Sequence, residues 1–139
     1  MMFLKKNLLL KPKIIAEIGC NHKGNLGIAK EMIKQAADAG VDYVKFQKRN
    51  NKYFLKDKYN DPHPVPENSY GKTYGEHREY LEFNIKQHKE LYLTCKKFKI
   101  GYSTSVWEKK SALDMIKSKL KLDFLKVPSA CNLDFELLE

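Results

Sequence analysis

Arginine is scarce in this basic chain. Its 139 residues hold 26 lysines and arginines against 17 acids, a net charge of +9, yet the arginines are only Arg49 and Arg78. The side chain that most often reads base edges is therefore nearly missing, and no zinc-finger, helix-turn-helix or RNA-recognition pattern accompanies it. Lysines and acids interleave over 86–97, as on a solvated helix face, so nucleic acid is not an expected partner. Cysteine is equally sparse. Cys20, Cys95 and Cys131 form an odd, widely spaced set with no CxxC, which argues against a disulfide framework and for a reducing, cytoplasmic compartment. The four histidines, His22, His63, His77 and His88, show no HxxxH spacing and no cysteine close by, so no zinc-type site is expected from them. No apolar run approaches a membrane span. Leu8-Leu9-Leu10, bracketed by Lys5, Lys6 and Lys11, is too short for a signal-peptide core and no small-residue cleavage site follows it.

What is present is a globular composition, 42% hydrophobic and 12% aromatic, enough for one compact domain. Residues 14–18 read as a strand, ended by Gly19 and followed by the polar loop 21–25. Ile28, Met32, Ile33, Ala36 and Ala37 recur at helical spacing, with Gly40 placed as a C-terminal cap. A second strand, 43–47, leads into a long loop, 48–74, with a proline cluster at Pro62, Pro64 and Pro66; loops of this length are usually functional. Helical sequence resumes over 76–83. Asn84 and Gln87 have capping-box spacing for a further helix whose stripe is His88, Leu91, Tyr92, Cys95 and Phe98. A third strand, 100–104, precedes Ser105 and Glu108, again at capping-box spacing, and a helix through Leu113, Ile116 and Leu120. A fourth strand, 123–127, stops at Pro128, and Asn132 is placed to cap a last helix, 133–138. Strict alternation of strand and helix argues for a parallel sheet, either an open doubly wound sheet or a (β/α)₈ barrel. Four βα units in 139 residues match the rate of a barrel, of which this would be half.

In either architecture, sites form at the C-terminal ends of the strands. Polar residues collect there: Glu17, then Lys45 and Gln47 two apart on one face, then Ser103, Thr104 and Ser105, then Lys126 and Ser129. Lysines with hydroxyls make a cradle for a phosphate and a carboxylate. A purely structural Glu17–Lys45 ion pair is the competing reading, weakened because buried ion pairs stabilise poorly. Ser105 alone reads as a helix cap, His88 and Trp107 as packing residues, and His63 as an exposed loop residue. His22, in the first βα loop, is open to a site role.

Five segments in order resemble the sialic acid synthase (N-acetylneuraminate synthase) family. Residues 16–24, AEIGCNHKG, resemble its AEIGxNHxG opening, and Lys45-Phe46-Gln47 its KFQ strand. Residues 74–82, YGEHREYLE, resemble its YGEHxxxLE helix; Ser103-Thr104-Ser105 its STP-like segment; and residues 124–129, FLKVPS, its FxKVxS strand. The resemblance implies the N-terminal half of a (β/α)₈ TIM barrel and a transferase that condenses phosphoenolpyruvate with N-acetylmannosamine, its 6-phosphate or a related amino sugar to a nine-carbon acid. Lys45, Thr104, Lys126 and Ser129 would then hold phosphoenolpyruvate. Gln47 would face the sugar and metal, Asn68 would touch the sugar, and Glu17 would handle the water that attacks C2.

The resemblance further implies a divalent manganese or magnesium ion, whose histidine ligands come from later strands, and a homodimer closed by a C-terminal antifreeze-like domain. The chain is expected to be a partial barrel without the second half-barrel or that domain, and inactive alone. It departs from the family at Pro128-Ser129-Ala130-Cys131, where relatives carry an acidic GSGE or GSGD segment; Asn132 is a partial substitute. Two alternatives stay open: a synthase of octulosonic or heptulosonic acid phosphates, which the YGEH segment argues against, and a non-catalytic half-barrel for binding or assembly, or a decayed gene fragment.

Overall fold

The computed structural model describes residues 12–139; the lysine-flanked leucines at 8–10 lie outside it. The expected alternation is present. Strand β1 (Ile15–Glu17), helix α1 (Leu26–Asp38), β2 (Tyr43–Lys48), α2 (Asn51–Leu55), α3 (Tyr74–Leu81), α4 (Ile85–Lys97), β3 (Gly101–Val106), α5 (Lys109–Lys117), β4 (Leu125–Lys126) and α6 (Phe135–Leu138) follow one another. The four strands are parallel and adjacent in chain order, β1-β2-β3-β4. That order, with a helical crossover between neighbours, is four consecutive units of a (β/α)₈ barrel and not a doubly wound sheet, whose strand order reverses.

Local chemistry sets the helix ends. Asn25 caps α1 by accepting from the Ile28 N–H at 3.0 Å. Gly40 takes φ +76° just past its end and its N–H donates to the Ala37 carbonyl at 2.9 Å, the glycine cap expected there. Asn84 and Gln87 form the reciprocal capping box of α4, at 3.0 and 2.9 Å. Two expected caps move. Glu108, not Ser105, caps α5, through its Oε1 and the Ser111 N–H at 2.9 Å. Asp134, not Asn132, caps α6. In both cases the strand or turn runs on past the expected start, so the next suitable side chain takes the role.

The helices cover one face of the sheet. Ala29 and Ile33 of α1, Leu91 and Cys95 of α4 and Met115 of α5 pack with Val44, Phe46, Tyr102 and Val106 of the central strands in one buried cluster. His88 belongs to that cluster as a packing residue: it is fully buried and its Nδ1 hydrogen-bonds the Tyr102 hydroxyl. Burial pushes His88 down to about 3, so it is neutral.

The long segment after β2 is less irregular than the sequence suggests. It holds α2 and two 3-10 turns, Lys56–Asn60 and Pro66–Asn68. The YGEH segment ties this loop down. Glu76 accepts from the Lys72 N–H at 2.6 Å and His77 Nδ1 from the Tyr70 N–H at 3.2 Å. A Cβ at Gly75 would sit 2.5 Å from the Tyr59 ring, so only glycine lets that ring close on α3.

Candidate functional site

Side chains alternate across a strand, and residues in register on parallel neighbours share a face. The register pairs Glu17 with Lys45 and Lys45 with Ser103, then Gln47 with Ser105 and Ser105 with Lys126. Six polar side chains therefore line the face opposite the helices, at the C-terminal ends of the strands. Lys45 is at the centre and is only 6% exposed. Its ammonium donates to Glu17 Oε2 and, at 3.1 Å, to Ser105 Oγ. Ser103 Oγ donates to the Phe124 carbonyl at 2.9 Å and so braces β4 against β3.

Burial and then the Lys126 charge pull Lys45 down to about 8. The carboxylate of Glu17, half exposed, works the other way by favouring the charged form. Two lysines on this face, with a single carboxylate between the strands, leave a positive excess. Such an arrangement can hold an anion.

Of the residues singled out from the sequence, Glu17, Lys45, Gln47 and Lys126 come together on this face. Thr104 does not. It pairs with Phe46 and Leu125, is fully buried on the helix-facing side, and its hydroxyl reaches the Ser105 carbonyl at 3.4 Å. The hydroxyls on the lysine face belong to Ser103 and Ser105, and Thr104 between them falls on the other face, because a shift of one in a strand reverses the face. The same geometry corrects Ser105, expected as a cap and found as the Lys45 partner. Ser129 is exposed in a 3-10 turn (Ser129–Cys131) that follows β4, at the same end of the sheet. Asn68 is exposed in the turn Pro66–Asn68, and among the described residues its side chain makes no hydrogen bond to the Lys45 group.

The sequence reading missed a second buried polar group beside the first. Arg49, 4% exposed, lies 4.2 Å over the Trp107 ring and donates to Gln47 Oε1. Glu82 accepts from the Arg49 backbone N–H at 3.1 Å and its other oxygen is 4.0 Å from Nη1. Burial pushes Glu82 up to about 8 against the pull of Lys48 and Arg78. The signal was available only in part: an arginine two residues beyond a strand-end glutamine is unusual in a lysine-rich chain, but its partner Glu82 is 33 residues away.

Trp107, Glu108, Phe54, Cys131, Asp134 and Glu136 line a cavity of about 330 Å³ among the loops after β2, β3 and β4. Cys131, standing at the departure from the family pattern, turns its thiol to the Trp107 carbonyl at 3.4 Å. A larger cavity of about 580 Å³, among Lys13, Asp42, Tyr43, Lys99 and Asp123, lies where the strands begin. Parallel sheets place their chemistry at the other end.

His22 is a packing residue. It is buried, stacks on Phe83 at 4.2 Å, and its Nδ1 accepts from the Gly24 N–H at 3.1 Å. Burial lowers its pKa. His63 and His77 face each other at 4.3 Å between ring centres in the long loop. Among the described residues no three His, Cys, Asp or Glu side chains come together to hold a metal ion, so the donors present do not fit the ion that the resemblance implies.

Comparison with known proteins agrees with this fold. The N-acetylneuraminate-9-phosphate synthase of Drosophila melanogaster is 39% identical over 126 residues, covering 91% of this chain and 33% of the relative. The N,N'-diacetyllegionaminic acid synthase of Campylobacter jejuni is 36% identical over 120 residues, covering 86% of this chain and 35% of the relative. The chain thus spans about a third of the length of the curated relatives it matches. A crystal structure of the N-acetylneuraminic acid synthetase of Leptospira borgpetersenii superposes with a TM-score of 0.71 at 24% identity, over 91% of this chain and 40% of that one, which shows the shared fold. A family model matches residues 32–139, from within α1 through the Lys45 strand to α6, and by that match and those identities the chain belongs to the NeuB family.

Proposed function

We propose that this chain forms the phosphoenolpyruvate-holding half of a synthase that condenses phosphoenolpyruvate with an N-acyl amino-sugar aldehyde to give a nonulosonic acid. The observation that carries the reading is the buried Lys45 ammonium, held between Glu17 and Ser105 with Lys126 beside it, at the active end of a parallel sheet. Lys45 and Lys126 hold the carboxylate and phosphate of phosphoenolpyruvate, with Ser105 as hydroxyl partner and Ser129 at the rim. C3 attacks the sugar aldehyde, positive charge develops at C2, and water adds there. Glu17, on the same face, stabilises that charge and takes the proton of the incoming water. The lysines favour the charge of the departing phosphate. Gln47, and with it Asn68, serves the sugar.

We assign the ligands of the divalent ion that the resemblance implies to sequence other than the described residues. The second half of the barrel, the antifreeze-like domain and a homodimer are likewise proposed for the whole protein, with a cytoplasmic setting that suits three free cysteines. Among the described residues no helix is long and apolar enough to cross a membrane.

The test is calorimetric titration of phosphoenolpyruvate, with pyruvate and inorganic phosphate as controls. Phosphoenolpyruvate should bind more tightly than either control, which carries only one of its two anionic groups. Equal, or no, binding of all three would refute the anion cradle.

A further inference from the structure

Arg49 is difficult to explain as a stabilising residue. It is 4% exposed, and among the described residues its Nε and Nη1 groups have no hydrogen-bond acceptor. A buried guanidinium with open donors costs stability, and an apolar side chain would fill the space over Trp107 more cheaply. What the guanidinium does is hold Gln47, by a hydrogen bond from Nη2 to Oε1. A guanidinium only donates, so the amide atom facing Arg49 must be the carbonyl oxygen. The Cys20 thiol approaches the same oxygen, at 4.0 Å. The Nε2 group is then turned the other way, toward Glu17 and Gly19: a Cβ on Gly19 would lie 3.6 Å from both Gln47 Nε2 and Glu17 Oε1. Among the described residues, that NH2 has no acceptor.

We propose that Arg49 is a positioning residue: stacked on Trp107 and tethered to Glu82, it locks the Gln47 amide so that two N–H donors, and no carbonyl, face the Lys45 group. The substrate atom opposite Gln47 is then an acceptor oxygen of the sugar, an N-acyl carbonyl or a hydroxyl. This rests on the sugar-condensing reading above and adds to it the polarity of one contact and the residue that sets it.

Two measurements on residues 1–139 separate the inference from the reading beneath it. In ¹⁵N-labelled protein, the Gln47 Hε2 protons should show NOEs to the Gly19 α-protons. NOEs to the Arg49 side chain in their place would overturn the proposal without reference to any ligand. N-acetylmannosamine and phosphoenolpyruvate are then titrated into four forms. Arg49→Met frees the amide to flip, and should weaken N-acetylmannosamine by about fivefold or more while phosphoenolpyruvate stays within about twofold. Arg49→Lys, which returns one donor to Gln47 Oε1, should recover much of that loss. Gln47→Glu keeps a partner for Arg49, and hence the melting temperature, but offers no donor, so it should lose the sugar as fully as Arg49→Met does. Unchanged sugar affinity in Arg49→Met, or equal losses for both ligands with a lowered melting temperature, would mark Arg49 as structural. A wild-type chain that binds phosphoenolpyruvate and no N-acetylmannosamine refutes the sugar assignment, while the NOEs still decide how Arg49 orients Gln47.

Discussion

The two faces of the sheet are built from alternate residues of the same strands and obey opposite rules. Along β2, Val44 and Phe46 are fully buried against helices, while Lys45 between them is also buried yet charged. Along β3, Tyr102, Thr104 and Val106 face the helices, while Ser103 and Ser105 face the lysines. The helix-facing side is filled as any core is, by volume and apolar contact. The other side replaces branched apolar residues, the usual filling of a barrel interior, with Glu17, Lys45, Gln47 and Lys126. On the proposed function, stability rests on one face and ligand binding on the other, and substitutions should separate the two.

The largest effect is expected on the helix side. Phe46→Ala removes a fully buried ring and should cost about 3–5 kcal/mol in urea unfolding, as large-to-small core changes do. The comparison breaks if Phe46→Ala lowers phosphoenolpyruvate affinity in the fraction that stays folded.

Lys45→Met tests the other face. Phosphoenolpyruvate affinity should fall by about tenfold or more, since hydrogen bonds to charged groups are worth roughly 1.5–3 kcal/mol. Stability should hold or rise, because a buried charge gives way to an apolar chain of similar length. A large drop in melting temperature with unchanged affinity would assign the Glu17–Lys45 pair to structure.

The pH profile sharpens the same point. Lys45 is lowered from 10.5 to about 8, so the folded chain sheds this proton before an unfolded one does. Anion binding needs the ammonium, so affinity should be flat below about pH 8 and fall above it by up to about tenfold per unit. The stability contribution has the opposite sign: between about 8 and 10.5 the unfolded chain holds more protons, so stability rises with pH from this group. Glu82 ionises near 8 as well, and Lys45→Met is the control that isolates Lys45 by flattening its share of both trends.

The smallest effect decides between neighbours. Ser105→Ala should cost phosphoenolpyruvate about 1 kcal/mol, the worth of an ordinary hydrogen bond, whereas Thr104→Val should leave affinity unchanged. The reverse result, read by the same titration, would mean that β3 presents its other face.

By itself the sequence determined the alternation of strands and longer helices, though not α2, because periodicities of two and 3.6, side-chain caps and a C-terminal glycine are local properties of 43–47, 84–98 and Gly40. It also determined that Lys45 and Gln47 share a face, since spacing along one strand is fixed by the pleat. Parity between strands was out of reach: with β3 expected two residues short, nothing local told whether Thr104 or Ser105 faces Lys45, and only the parallel register of β2 with β3 settles it. The Arg49 group was out of reach for the same reason. Its partners Gln47, Glu82 and Trp107 come from β2, the end of α3 and the loop after β3, and a buried charge is recognisable as such only once the elements that bury it have met.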